Sequence, residues 1–201
     1  MSLILAPYLR ATEIVDFTDP TVAACARSLK RSTRTESAEA AFLFVRDDIR
    51  HSWDAQDRIV TCTASEALRE LTGICYSKTH LLAALLRALE IPAGFDYQRL
   101  TLFDSAEDGH CIHALNTLYL RDTDRWIRLD ARGNKPGIDA QFSLGNEQLA
   151  FPVRPKEGEI DYHLNLAEPH AEVVATLRSN RDCLDMYAHR LPTELAVATP
   201  R

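Results

Sequence analysis

GICYSKTHLLAALLRALEIPAG, residues Gly73 to Gly94, is the stretch around which the rest of the chain is arranged. Gly73 stops the segment before it, and Pro92 with Gly94 closes the stretch at its far end. Between them Leu81, Leu82, Leu85, Leu86 and Leu89 recur at helical spacing. At about 100° per residue they form one stripe, with Ala84 and Ala88 close beside it. On the same wheel Cys75 falls inside the stripe, while His80 and Arg87 fall on the opposite face. The spacing predicts a helix with a cysteine in its first turn and the thiol turned toward the body of the domain. A helix N-terminus has unpaired N–H groups and a partial positive charge, which favour the nucleophilic thiolate. The same N–H groups can hold the oxyanion formed when a carbonyl is attacked. The competing reading of Cys75 is a small buried core residue, the usual place of a free cysteine.

The 201 residues suit one domain spanning 1–201, with a core at about 36–135 and an irregular and helical remainder at 136–201. A hydrophobic share of 46% supports a sizeable core. The formal net charge of −6 argues against a nucleic-acid surface. The densest basic piece, Lys30 to Arg34, is short and reads as a solvated loop. The apolar run Leu3 to Ala6 is too brief for a signal peptide, and no run approaches the roughly 20 residues of a membrane span. The five cysteines are odd in number and lack zinc-knuckle or disulfide-scaffold spacing. The expectation is a cytoplasmic protein with reduced thiols and with neither nucleic acid nor membrane as partner.

Asp19 and Pro20 open a helix through Val22, Ala23, Ala26 and Leu29. A second helix is expected from Thr35 or Ser37, carrying Ala41, Phe42, Val45 and Ile49 inward. Ile59 to Cys62 reads as a short strand or extended segment. Thr63 and Glu66 have capping-box spacing and start a helix from Ala64 to Leu71. After Gly94 the texture changes. Phe95 to Leu102 and Cys111 to Leu120 read as strands, and Arg121 to Asp124 as a hairpin turn. Trp126 to Asp130 is the returning strand. From Gly133 the chain is irregular, with Phe142 and Phe151 tucking loops onto the core. Helices are expected again over Ala171 to Leu177 and Cys183 to His189. Helices first and an antiparallel sheet second give an α+β fold.

A cysteine nucleophile needs a base, and the base an orienting group. Of the seven histidines, His113 lies within a strand, where histidine is neither favoured nor needed. Asp130 ends the partner strand, so the hairpin sets a carboxylate near that imidazole, able to fix its tautomer and stabilise its charged form. If the cysteine helix packs across this sheet, Cys75, His113 and Asp130 meet.

Gly73-Ile74-Cys75, then Lys78, then LLAALLRALEIPA resembles the nucleophile helix of the transglutaminase-like superfamily. His113-Ala114, followed by Trp126 and Leu129-Asp130, resembles its histidine and aspartate blocks. The likeness covers roughly Ala41 to Lys135. It implies a papain-like core and Cys-His-Asp acyl-transfer chemistry, with Cys75 as nucleophile, His113 as base and then acid, and Asp130 orienting His113. The superfamily holds cross-linking enzymes, cysteine proteases and peptide N-glycanases. Leu115 stands where many relatives have tryptophan, and no calcium-site pattern appears.

Gln56 and Trp53 lie upstream of the cysteine helix, where papain-like folds place a second oxyanion donor. Tyr97 and Gln98 are candidates to line the cleft. Arg132 and Lys135 could bind an acidic substrate end or face water. Lys78, on the apolar stripe, either reaches over the helix end to solvent or holds a carboxylate. Cys25, Cys62, Cys111 and Cys183 are read as core or boundary thiols. His110, Cys111, His113, Cys75 and His80 are possible zinc ligands, but strand neighbours face opposite ways and His80 lies across the helix from Cys75. No metal and no cofactor is therefore expected. The expected function is cysteine-dependent acyl transfer on a peptide, protein or small amide substrate, by hydrolysis or transamidation. The alternative is a catalytically silent domain that binds protein in the same cleft.

Overall fold

The computed structural model describes residues 5–104 and 106–196, so Leu3 and Ile4 of the N-terminal apolar run lie outside the described residues. Asp19 caps α1 (Pro20–Leu29) by accepting from the Thr21 and Val22 N–H groups. Helix α2 (Arg34–Asp47) begins earlier than its composition suggests, because Thr33 and Glu36 form a full capping box. The same device at Thr63 and Glu66 starts α3 (Ala64–Glu70). That helix ends through Leu71, whose backbone adopts the left-handed conformation at φ 51°.

Gly73 therefore does not stop α3. It lies in a two-residue strand, β2 (Thr72–Gly73), paired parallel to β1 (Arg50–His51), with His51 opposite Gly73. A Cβ on Gly73 would sit 2.2 Å from Ser77 Oγ, so only glycine lets this strand lie so close to the next helix. The segment Ile59 to Cys62 is not a strand. Its polar groups pair with side chains instead: the Cys62 N–H donates to Glu66 at 2.8 Å, and the Cys62 carbonyl accepts from His80 Nδ1 at 2.7 Å.

The cysteine helix is α4 (Cys75–Ala88), and every residue from Cys75 to Arg87 is buried. The face opposite the leucine stripe is covered as well, because α4 packs against α1, α2 and α3 and also against β3 and β4 of the sheet. A helix surrounded on all sides must satisfy its polar side chains internally. Arg87 does so by donating to the carbonyls of Ala93, Arg10 and Ala167. His80 is left with Nε2 unpaired, and burial pulls its pKa down to about 4, so it stays neutral.

Lys78 neither reaches solvent nor holds a carboxylate. Its Nζ is buried and donates to the carbonyls of Ile49 and, at 3.3 Å, Arg46, at and just beyond the C-terminus of α2. These are carbonyls that helix geometry leaves without partners. Burial, with Arg132 nearby, draws the Lys78 pKa down to about 7. Lys78→Met keeps the packing but strands both acceptors. It is expected to cost about 1–3 kcal/mol, read as a lower denaturant midpoint at unchanged slope.

The sheet is four-stranded and antiparallel, in the order β5-β4-β3-β6. Strand β3 (Ala93–Thr101) pairs with β4 (His110–Leu120), setting Gln98 opposite His113. A hairpin leads to β5 (Arg125–Leu129), where Asn116 faces Leu129. Continuing that register sets Asp130 beside Leu115, diagonal to His113. Strand β6 (Ile160–Asp161) adds an edge that the irregular composition of this region conceals. Helices α5 (Ala171–Ser179) and α6 (Cys183–His189) close the chain. Among the described residues no helix is long and apolar enough to cross a membrane.

Candidate active site

Cys75 opens α4. Ile74 before it has extended backbone, and no side chain caps the helix, so the N–H groups of the first turn remain available. Cys75 is 6% exposed and lies on a cleft of about 310 Å³. His113 lines the same cleft, and Cys75 is close enough to its ring to favour the charged imidazolium. On its other side His113 Nε2 lies 2.8 Å from Asp130 Oδ2. The hairpin supplies this pair and the helix supplies the sulfur.

Asp130 is fully buried and saturated. Its Oδ1 accepts from the Arg132 N–H at 3.1 Å, and its Oδ2 accepts from the Ala150 N–H at 3.0 Å as well as from His113. Burial alone would raise its pKa, but the charge of His113 and these hydrogen bonds hold it below the ordinary carboxylate value. Burial likewise opposes charge on His113, yet Asp130 and Cys75 beside it prevail and push its pKa up to about 10. The imidazole is therefore protonated at neutral pH and can return a proton to a leaving group. The Phe151 ring stands edge-on to it, with centroids 5.2 Å apart, and fixes its plane.

Asp54 holds two of the cations that line the cleft, Arg132 and Lys135. It accepts a forked pair of bonds from Arg132, at 2.6 and 3.1 Å, and a third from Lys135 Nζ at 2.7 Å. Partial burial works against its charge, but these cations hold its pKa down at about 2. Arg132 and Lys135 are thus cleft-lining residues already engaged by an acid of the protein itself.

Of the oxyanion and cleft candidates, Trp53 lines the cleft. Gln56 does not: its Nε2 turns back to the Trp53 carbonyl at 2.7 Å on the exposed surface. Tyr97 is buried elsewhere, its hydroxyl accepting from the His170 N–H. Gln98, although opposite His113 in register, turns to Asp161 and takes no part in the lining. Both side chains serve contacts with the C-terminal segment that strand alternation does not reveal.

His51 was not singled out by its sequence. The β1–β2 pairing sets it across from Gly73, two residues before Cys75, and its ring lines the cleft. Burial, and then the charge of Arg132, hold its pKa well below the usual histidine value, so it is neutral. Its Nδ1 has no hydrogen-bond partner; the nearest acid, Asp54 Oδ2, lies 3.6 Å away. Two-residue strands carry no alternation, so composition offered no signal for this placement. Cys111, read as a core or boundary thiol, also lines the cleft.

The candidate zinc set does not gather around one point. His80 bonds Cys62, and His110 Nε2 pairs with the Glu157 carbonyl at 2.7 Å. The described residues do bring Asp96, Asp161 and His163 within ligand range of one another. There the Arg128 guanidinium already bonds both aspartates, at 3.2 and 2.6 Å, and supplies the positive charge that a metal would bring.

A cysteine at a helix N-terminus facing a strand-borne histidine–carboxylate pair is the arrangement of papain-like folds. Residues 23–131, more than half of the chain, match the transglutaminase-like superfamily, and the chain belongs to it. A crystal structure titled "a Putative Cysteine Protease from Cytophaga hutchinsonii" shares the fold, with a TM-score of 0.51 and 20% identity. The match covers 66% of this chain but only 43% of that one. No curated protein matches the chain.

Proposed function

We propose that this chain is a cysteine-dependent acyl-transfer enzyme that hydrolyses an amide. The observation that carries the reading is the hydrogen-bonded His113–Asp130 pair sharing one cleft with Cys75 at the start of α4. The Cys75 sulfur attacks the carbonyl carbon, and a C–S bond forms. The His113 imidazolium gives its proton to the amide nitrogen as the C–N bond breaks, and the amine leaves. A water then attacks the thioester and cedes a proton to His113. The acid departs, and the Cys75 thiolate is restored beside the His113 imidazolium. Asp130 keeps the imidazole oriented throughout.

The segment 133–160 lines this cleft without filling it, which supports an active site over a silent binding module. The substrate is a peptide, a protein segment or a small amide presented in extended form. Intact-mass analysis after exposure to an acylating amide probe tests the reading. One acyl adduct at Cys75, absent in Cys75→Ala, is expected. The reading fails if the adduct persists in that variant, or if Cys75 is the slowest of the five thiols toward iodoacetamide.

The oxyanion is held by the Cys75 N–H and by His51. The neutral His51 ring lines the cleft, and its one N–H is the donor assigned to that oxygen. His51→Ala is expected to lower kcat by about 100- to 1,000-fold with little change in KM. Unaltered kcat would remove His51 from this role.

A further inference from the structure

Beyond the reacting groups, the cleft has a rim built from three aromatic rings. Trp53 and Tyr187 stack nearly parallel, with centroids 4.7 Å apart and planes 17° from each other. Phe103 joins them, 5.3 Å from Trp53 and 6.4 Å from Tyr187. All three line the same cleft as Cys75. The His51 ring meets Tyr187 edge-on at 5.8 Å, which connects the rim to the neighbourhood of the sulfur.

Phe103 is 49% exposed, the highest exposure among the described large hydrophobic side chains. A lone exposed phenylalanine would mean little. This one is continuous with two other rings at the mouth of a concave site. Its backbone sits at φ 53° and ψ 29°, a region that bulky residues seldom adopt. The fold thus presents an aromatic ring to solvent at the cleft.

The charged residues of the cleft leave recognition to this apolar surface. Arg132 and Lys135 are bound to Asp54, and Arg154 is bound to Glu159, itself held by Thr101. The remaining lining includes Leu102, Leu191, Ile138, Phe151 and the three rings. The volume of about 310 Å³ lies at the bottom of the range of about 300–1,000 Å³ for ligand pockets. That is room for one large side chain and the amide beside it.

We propose that the Trp53–Phe103–Tyr187 rim is the subsite for a large apolar side chain, aromatic above all, flanking the scissile amide of the substrate. Stacking rings and an apolar floor would take such a group with little ordering cost. The proposal rests on the amide-hydrolysis reading for its purpose, but the binding it asserts needs no chemistry.

The test is therefore a binding measurement. Trp53 fluorescence, isolated by Trp126→Phe, is titrated with the N-acetyl amides of phenylalanine, leucine, alanine, aspartate and lysine. The phenylalanine compound is expected to bind at least about 10-fold tighter than the alanine one, with leucine between, the discrimination typical of an apolar pocket. In Phe103→Ala that preference should shrink to about 3-fold or less. Equal affinity across the series, tighter binding of the charged compounds, or a preference unmoved by Phe103→Ala would overturn the subsite. Iodoacetamide reactivity of Cys75, measured on the same protein, reports separately on the nucleophile. A reactive Cys75 with a flat binding series sinks only the subsite. An inert Cys75 with the aromatic preference intact sinks only the chemistry.

Discussion

Cys75→Ala is expected to reduce amide turnover by at least about 1,000-fold, and His113→Ala by nearly as much. The double variant should be no worse than the poorer single one. The sulfur and the ring share one cleft, and each is needed for the other's step. Without the ring, no proton reaches the leaving amine. Without the sulfur, the ring has no acyl intermediate to serve. Groups that act as a unit do not add their losses. Additive losses would mean that the two residues work on separate steps, and the proposed relay would be wrong. Cys75→Ala should move the thermal midpoint little, whereas His113→Ala leaves the buried Asp130 carboxylate without its partner and should lower it, so retained circular dichroism at the assay temperature is the control for folding.

Asp130→Asn carries the second large effect, and it is read through pH. His113 gives up its proton at about 10 in the folded protein, against an ordinary value of 6.5. The proton that the leaving amine needs is present below that value and is lost as pH rises through it. Turnover should therefore decline on the alkaline side near pH 10. An asparagine keeps the shape but removes the charge that holds the proton. The decline should move down by more than one pH unit toward 6.5, with turnover at pH 7 reduced by about 100- to 10,000-fold. An alkaline limb that stays in place in Asp130→Asn would show that Asp130 does not hold the proton.

The same pair sets a stability window. The raised pKa of His113 contributes stability that is full below about 6.5 and vanishes as pH rises through about 10. The lowered pKa of Asp130 contributes stability that is present above about 3.8 and is lost as pH falls through its folded value. Wild type should thus exceed Asp130→Asn in stability most clearly between about pH 4 and 6.5, with the gap closing toward pH 10. Asp130→Ala is harsher, because it also strands the N–H groups of Arg132 and Ala150. A cost of about 3–5 kcal/mol is expected, as for a buried pair that loses one partner. The asparagine variant therefore carries the kinetic test.

Much of the architecture was legible because it is local. Asp19 before Pro20 and Thr63 before Glu66 announce helix starts within four residues, and α1 and α3 begin there. Alternation from Cys111 to Leu120 and a polar turn gave the β4–β5 hairpin, and with it the approach of Asp130 to His113. The β1–β2 pairing and β6 were not legible, since two-residue strands have no period to read. Nor was the burial of α4 on every side. A helical wheel shows which face is most apolar, but it cannot show how many neighbours the helix will have.

The sequence by itself determined where the helices and the hairpin lie, and the order in which a thiol, an imidazole and a carboxylate come along the chain. Those features arise from spacing and from backbone groups that neighbouring residues satisfy. Only the tertiary structure decided that Lys78 is spent on the end of α2, that His51 stands neutral in the same cleft as Cys75, and that Trp53, Phe103 and Tyr187 share one rim. Charge state and contact across a cleft depend on desolvation and on residues far away in sequence, and neither leaves a periodic trace in the chain.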